Sequence, residues 1–226
     1  MTLKSNLVSV VMLGASGAVG SATLKTLLQL KTIQQITLLG RNPISTVKTG
    51  SVHQHKIDVS DPNSYKNYVQ GHTTAICTLG VGQPTKVSKE EFIKIDKTAV
   101  LDFAKECKER GIAHFELLAS VGSHPKSASF YLRTKGELVE ALKALNFERL
   151  SIFQPSMILT PTNRYGNGQA VTLKVWPLLK PLLLGNLRKY RGIPVHILGQ
   201  AMAKNSLKEG QGYETLQWDE FYTIST

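Results

Sequence analysis

The stretch VVMLGASGAVG, Val10 to Gly20, limits what this chain can fold into more than any other. It ends a valine-rich apolar run, LVSVVMLG, which suits a strand buried on both faces. It opens GAVGSATLKTLLQL, where Leu24, Leu27 and Leu28 recur at helical spacing. Gly14, Gly17 and Gly20 therefore fall in a tight strand-to-helix turn. In such a turn one glycine makes the bend and another lets the backbone approach a pyrophosphate. A third permits close helix–strand contact. The helix N-terminus adds unpaired amides and a positive dipole end, both favourable to phosphate. Gly14, Ala15, Ser16, Gly17, Ala18, Val19 and Gly20 are thus read as a dinucleotide cradle, the alternative being a glycine-rich turn without ligand. The lysine and hydroxyl residue of a P-loop are missing, which sets nucleotide-triphosphate hydrolysis aside.

The rest of the chain alternates in the same way. QQITLLGRN, the end of SVHQHKIDVSD, TTAICTLGVG, AHFELLAS and ERLSIFQP read as further strands. NSYKNYVQG, SKEEFIKIDKTAVLDFAKECKERG and SFYLRTKGELVEALKAL read as helices between them. In the second helix Ser88 is the expected N-cap, Phe92, Ile95, Ala99 and Phe103 keep apolar register, and Gly111 is the stop. Strands and helices in this order predict an α/β fold, a Rossmann-type doubly wound parallel sheet. A chain of 226 residues suits one domain. We divide it into a cofactor-binding core, residues 1–155, and a small substrate-side cap with closing elements, residues 156–226. A tail of roughly seventy residues would struggle to bury a core of its own.

Composition matters at three points. The net charge of +11 is scattered, and no nucleic-acid-reading motif accompanies it. An anionic small ligand on a solvated basic surface is favoured over nucleic acid. Cys77 lies in an apolar run, and neither the two cysteines nor the dispersed histidines make a disulfide framework or a metal site. No window approaches the length of apolar sequence that a membrane span needs, and no signal segment is visible. A cytoplasmic location is expected.

The end of the second strand selects the dinucleotide. An NAD site usually offers an acid there for the ribose 2′-hydroxyl, whereas LLGRN offers Arg41. A guanidinium suits a 2′-phosphate, so NADP(H) is expected over NAD(H), unless Arg41 is merely a solvated loop residue. At the end of the third strand, Asp58, followed by Val59, is placed either to accept from the adenine amino group or to cap a helix.

In FYLRTKGE, Tyr131 and Lys135 stand one helical turn apart. Chance alone supplies roughly 0.6 such pairs in this composition, so the spacing is weak by itself. Its place is more informative. Ser120 ends the fifth strand, Tyr131 starts the next helix, and ligands of doubly wound sheets gather at that carboxyl edge.

With GASGAVG, LLGR, AVLDFAKECKERGIAHFELLASVGS, FYLRTKGELVEAL, ERLSIFQPSMIL and IPVHILGQAMAKNSL in view, the chain resembles the short-chain dehydrogenase/reductase superfamily. It resembles most closely the atypical branch that contains the Tat-interacting oxidoreductase-like proteins. The resemblance implies an NADP(H)-dependent oxidoreductase acting on a small carbonyl or alcohol. Ser120 would orient the carbonyl, Tyr131 would donate or accept the proton, and Lys135 would hold the nicotinamide ribose and favour the phenolate. Leu79 and Gly80 would pass along the cofactor. Pro155 and Ser156 fall where the family often has Pro-Gly, so Ser156 replaces that glycine. The atypical branch also admits a cofactor-loaded sensor or scaffold with little turnover, and a protein partner or homodimer. VTLKVWPLLKPLLLGNLRKYRG, with Trp176, reads as the substrate-side wall more readily than as a membrane-surface helix, since Pro177 and Pro181 break it. Trp176, Leu178, Leu179, Leu182 and Leu183 suggest a hydrophobic substrate.

Overall fold

The structure, a computed structural model, describes residues 8–47, 50–161 and 183–226. Its centre is a sheet of seven strands: β1 (Val8–Leu13), β2 (Ile33–Gly40), β3 (Val52–Lys56), β4 (Thr74–Cys77), β5 (His114–Leu118), β6 (Arg149–Phe153) and β9 (Gly212–Leu216). The order is β3-β2-β1-β4-β5-β6-β9 and every neighbouring pair is parallel. The order reverses at β1, and there the glycine loop stands, at the carboxyl edge between β1 and β4.

Strand alternation builds two cores. Val11 and Leu13 face Phe103, Phe115 and Leu138 on one side, and Val10 and Met12 face Leu24, Leu198 and Phe221 on the other. The first layer is made by α2 (Lys66–Val69), α4 (Val100–Glu109) and α5 (Phe130–Ala144). The second holds α1 (Ala18–Leu27), α6 (Val195–Asn205) and α7 (Trp218–Ser225). The expected doubly wound Rossmann-type sheet is therefore present. No helix among the described residues is long and apolar enough to cross a membrane.

Two local expectations need correction. The long helix before β5 starts at its Ser88 cap, whose Oγ accepts from Glu91 N at 3.1 Å, as α3 (Lys89–Ile93). It then passes through a π turn, Lys94–Ala99, into α4. Ala99 of that turn is buried as expected, but beside it the buried position is Asp96 and not Ile95, because the carboxylate has a buried cation to meet. The tail also does more than cap the carboxyl edge. Its short strands β7 (Ile158–Leu159) and β8 (Ile193–Pro194) pair with each other, but β9 joins the main sheet. Helix α6 packs on α1 closely enough that a Cβ at Gly199 would lie 2.6 Å from Ala22 Cβ. Strand β9 reads GYETL and is largely exposed, so it lacks the apolar run that marks a buried strand.

At the amino end of the sheet, β5, β6, β9 and α6 share a buried polar network. His114 Nε2 lies 2.8 Å from Ser151 Oγ, and Asn205 Nδ2 donates to Glu116 Oε1 at 2.9 Å. Arg149 bonds Glu214 at 2.6 Å and Asn205 Oδ1 at 2.8 Å. Burial, then Arg149, pushes the His114 imidazole down to about 3 from its ordinary 6.5. Burial pushes the Glu116 carboxyl well above its ordinary 4.5, against the Asn205 bond and Arg149. The signs follow from proton counts. Between about pH 3 and the ordinary carboxylate value the unfolded chain holds two protons on this pair and the folded chain one, so stability rises with pH. Between the two ordinary values the counts match. Above the ordinary imidazole value only the folded chain holds a proton, on Glu116, and stability falls as pH rises. The contribution of this pair to stability should therefore be level between about pH 4.5 and about pH 6.5 and fall on either side, read as the difference in melting temperature between the parent and variants of the pair. Glu116→Gln should remove the alkaline fall, and a variant that keeps it would refute the assignment.

Candidate functional site

The glycine loop is shaped by contacts that a side chain would destroy. Gly14 has φ +95, and a Cβ there would lie 2.6 Å from Leu79 N. A Cβ on Gly20 would lie 2.2 Å from Gly14 O. Gly17 is different: its closest neighbour would be Gly14 O at 3.3 Å, so its outer side is open. Thr78 Oγ1 donates to Gly14 O at 3.0 Å and ties the loop to the end of β4. Helix α1 begins at Gly17 with no side-chain cap and no acid in its first turn. Its first amides are therefore met by no capping side chain and no acid of their own turn, which fits the pyrophosphate of a dinucleotide.

On the β2 side a cleft of about 70 Å³ is lined by Gly14, Ala15, Ser16, Arg41, His55, Val59 and Leu79, among others. It adjoins a larger one of about 630 Å³ that shares Ala15, Ser16 and Arg41 and adds Ser21 and Lys25 from α1. Arg41 stands at the junction of the two. The loop carrying it is held by Gln54, whose Oε1 accepts from Ile44 N at 2.7 Å and whose Nε2 donates to Val47 O at 3.0 Å. Sequence patterning singled out neither Gln54 nor Lys25, because both read as ordinary polar residues of a strand and a helix. Asp58 is exposed, and its Oδ1 accepts from Ser60 N at 2.8 Å. It caps a turn, and Val59 rather than Asp58 lines the cleft.

On the β5 side a cavity of about 240 Å³ joins the loop to the tyrosine pair. Gly17, Ala18 and Val19 form one wall, Leu79 and Gly80 another, and Tyr131 and Lys135 a third. Leu118, Ala119, Ile158 and Val81 make much of the remainder apolar. Ser120, Pro155 and Ser156 are not among the lining residues. The backbone at the end of β5 bonds Val121 N to Pro155 O at 2.9 Å, and Ser120 Oγ makes only a long contact, 3.5 Å, with Val121 O. The following loop is pressed on α5, where a Cβ at Gly136 would lie 2.2 Å from the His124 carbonyl carbon. The fold thus brings Tyr131, Lys135 and the loop together and leaves Ser120 beside them.

Lys135 is buried, 4% exposed, and its Nζ lies 2.8 Å from Oδ1 of Asp96, itself 2% exposed. Oδ2 of the same carboxylate accepts from Val81 N at 2.7 Å. Burial pulls the ammonium down, but Asp96, Tyr131 and Cys77 together hold it above its ordinary value. Asp96 is the site residue that sequence reasoning missed. An acid at i+4 from Phe92, on the face that continues to Val100 and Phe103, calls for a buried partner, and that was the available signal.

The residues proposed as a substrate wall lie mostly outside the described residues, Trp176, Leu178, Leu179 and Leu182 among them. In the described part, Arg188 pairs with Asp219 at 2.5 Å. Arg188 and Arg191 also stack on Trp218, at 5.3 and 5.1 Å from the ring centroid.

Comparison with known proteins agrees with this geometry. Residues 14–151 match the family described as NAD(P)H-binding. The chain is 31% identical over 206 residues to protein HTATIP2 of Rattus norvegicus, covering 90% of this chain and 83% of the relative. It is 31% identical over 173 residues to protein FMP52, mitochondrial, of Meyerozyma guilliermondii, covering 75% and 74%. Among solved structures, MoeE5 in complex with UDP-glucuronic acid and NAD superposes with TM-score 0.72 at 15% identity, over 92% of this chain and 75% of that one. A short chain dehydrogenase family protein from Francisella tularensis gives 0.67 at 14% identity, over 96% and 99%. The resemblance drawn from the motifs is thus matched by relatives in sequence and in fold.

Proposed function

The chain belongs to the NAD(P)H-binding family, and from that premise we propose that it is an NADP(H)-dependent oxidoreductase of the short-chain type. Its substrate would be a small hydrophobic carbonyl compound or the corresponding alcohol. One observation carries this reading: a single cavity is lined by the glycine loop, by Tyr131 and by Lys135.

When bound, NADP(H) would supply the hydride exchange at the carbonyl carbon. The chain's own residues do the rest. Amides of the Gly14–Gly20 loop and the α1 terminus hold the pyrophosphate. Arg41, with Lys25 and Ser16 nearby, receives the 2′-phosphate. The Leu79–Gly80 backbone, which lines the same cavity, would pass along the cofactor. Tyr131 gives its phenolic proton to the substrate oxygen during reduction and takes it back during oxidation. The Lys135 ammonium, one turn from Tyr131 on the same cavity wall, would hold the nicotinamide ribose. Leu79, Val81, Leu118 and Ile158 exclude water and favour an apolar substrate.

Arg41→Ala tests the cofactor assignment. NADPH affinity, followed by nicotinamide fluorescence, should fall at least about tenfold, the loss of a charge-assisted contact, while NADH affinity stays nearly unchanged. Equal losses for both would sink the preference for NADP(H). Ser120, standing outside the cavity wall, favours a second reading, a cofactor-loaded sensor with little turnover. Tight NADPH binding without reduction across a broad carbonyl panel would select it. We place the protein in the cytoplasm, and fractionation that recovers it with mitochondria would overturn that.

A further inference from the structure

We infer that Asp96 is a positioning residue: its carboxylate keeps the buried Lys135 charged and locks it to the loop after β4, so that the cofactor-side backbone and the tyrosine helix form one unit. The active-site role of Lys135 rests on the oxidoreductase assignment above; the charge and place of its ammonium do not.

The geometry is specific. One oxygen of Asp96 meets Lys135 Nζ at 2.8 Å and the other takes the Val81 amide at 2.7 Å. The loop comes close to the carboxylate at Gly80, where a Cβ would stand 3.0 Å from Oδ1 and crowd it. Asp96, Gly80, Val81 and Lys135 all line the cavity that Tyr131 lines. Asp96 also sits on a π turn, a feature common at functional sites.

A purely stabilising role explains this poorly. Buried ion pairs are often no better for stability than apolar residues of the same volume. The same two helical segments are already bridged nearer the surface by Lys97 and Glu137, at 2.6 Å. What the inner pair adds is a charge beside the cavity. The groups facing Lys135 are Asp96 from the π turn, Tyr131 from its own helix and Cys77 from β4. Burial opposes its charge, and among its partners Asp96 favours it most, by its own charge and by accepting a hydrogen bond.

The test is a titration of the Lys135 side chain by NMR in protein labelled at the lysine ε-carbon, with Lys135→Met supplying the assignment. Lys135 of the unaltered protein should stay charged throughout the neutral range. Asp96→Asn should move its titration to lower pH, and Asp96→Glu should restore it. Turnover of Asp96→Asn should then fall at least about tenfold as pH rises through that new midpoint, a limb absent from the parent. A Lys135 titration unchanged in Asp96→Asn overturns the proposal. A moved titration in a protein whose parent shows no turnover upholds the role of Asp96 and counts against the oxidoreductase assignment alone. If Asp96→Asn does not fold, Asp96→Asn with Lys135→Met should, because it removes the orphaned charge. Failure of that double variant to fold would also overturn the proposal.

Discussion

Tyr131→Phe is expected to lower carbonyl reduction by about 100- to 10,000-fold, the usual contribution of a positioned general acid. NADPH affinity should stay close to that of the parent. The substitution removes one oxygen and keeps the ring, which packs 5.5 Å from Phe92, so the start of α5 should not move. Lys135 and Asp96 remain paired behind it. The expected signature is therefore a loss in kcat with binding retained, the pattern of an interaction used in the transition state. Turnover that survives the substitution would mean that another group carries the proton. Loss of NADPH binding in the same variant would mean that the phenol serves the cofactor and not the substrate.

The second large effect is expected at Gly20, where Gly20→Val should abolish measurable binding of both NADPH and NADH. Any Cβ there meets Gly14 O at 2.2 Å, Thr78 Oγ1 at 2.7 Å and Ala15 Cα at 2.9 Å. Two of those three atoms are backbone and cannot rotate away, so α1 must lift from the loop or the loop must leave β4. Either movement misaligns the amides that would hold pyrophosphate. Overpacking of this kind costs about 1–3 kcal/mol, so the fold should survive with a lower melting temperature. Gly17→Ala is the control, since its outer side is open and no atom but Gly14 O comes near. It should leave melting nearly unchanged and weaken cofactor binding only by crowding the open side of the loop. Gly20→Val that binds NADPH like the parent would remove the glycine loop from the site.

Much of the fold was legible in the chain because its strands are buried on both faces. Val10 to Leu13, Thr74 to Cys77 and Arg149 to Phe153 are fully buried stretches, or nearly so, and long apolar runs are what such burial demands. Strand β9 escaped because it is an exposed edge, where side chains need not be apolar. The position of Arg41 at the end of β2 was legible for a related reason, since loop lengths in these units are short and leave little choice of register. Ser120 and Asp58 show the converse. Each stands just past the carboxyl end of a strand, where the chain can turn either way: the pattern left open whether Asp58 would cap or reach adenine, and it did not show that Ser120 would stand outside the cavity wall.

The sequence by itself determined the alternation of strands and helices, the glycine turn and the one-turn spacing of Tyr131 and Lys135. These depend on neighbours within a few residues, through strand and helix periods and the steric freedom of glycine. Only the tertiary structure decided which side chains share a cavity. Asp96 and Lys135 are 39 positions apart in the chain yet 2.8 Å apart in space. They meet because a π turn faces a helix across the end of β4. Burial then makes the meeting obligatory, since a lone carboxylate or ammonium in that place would cost several kcal/mol.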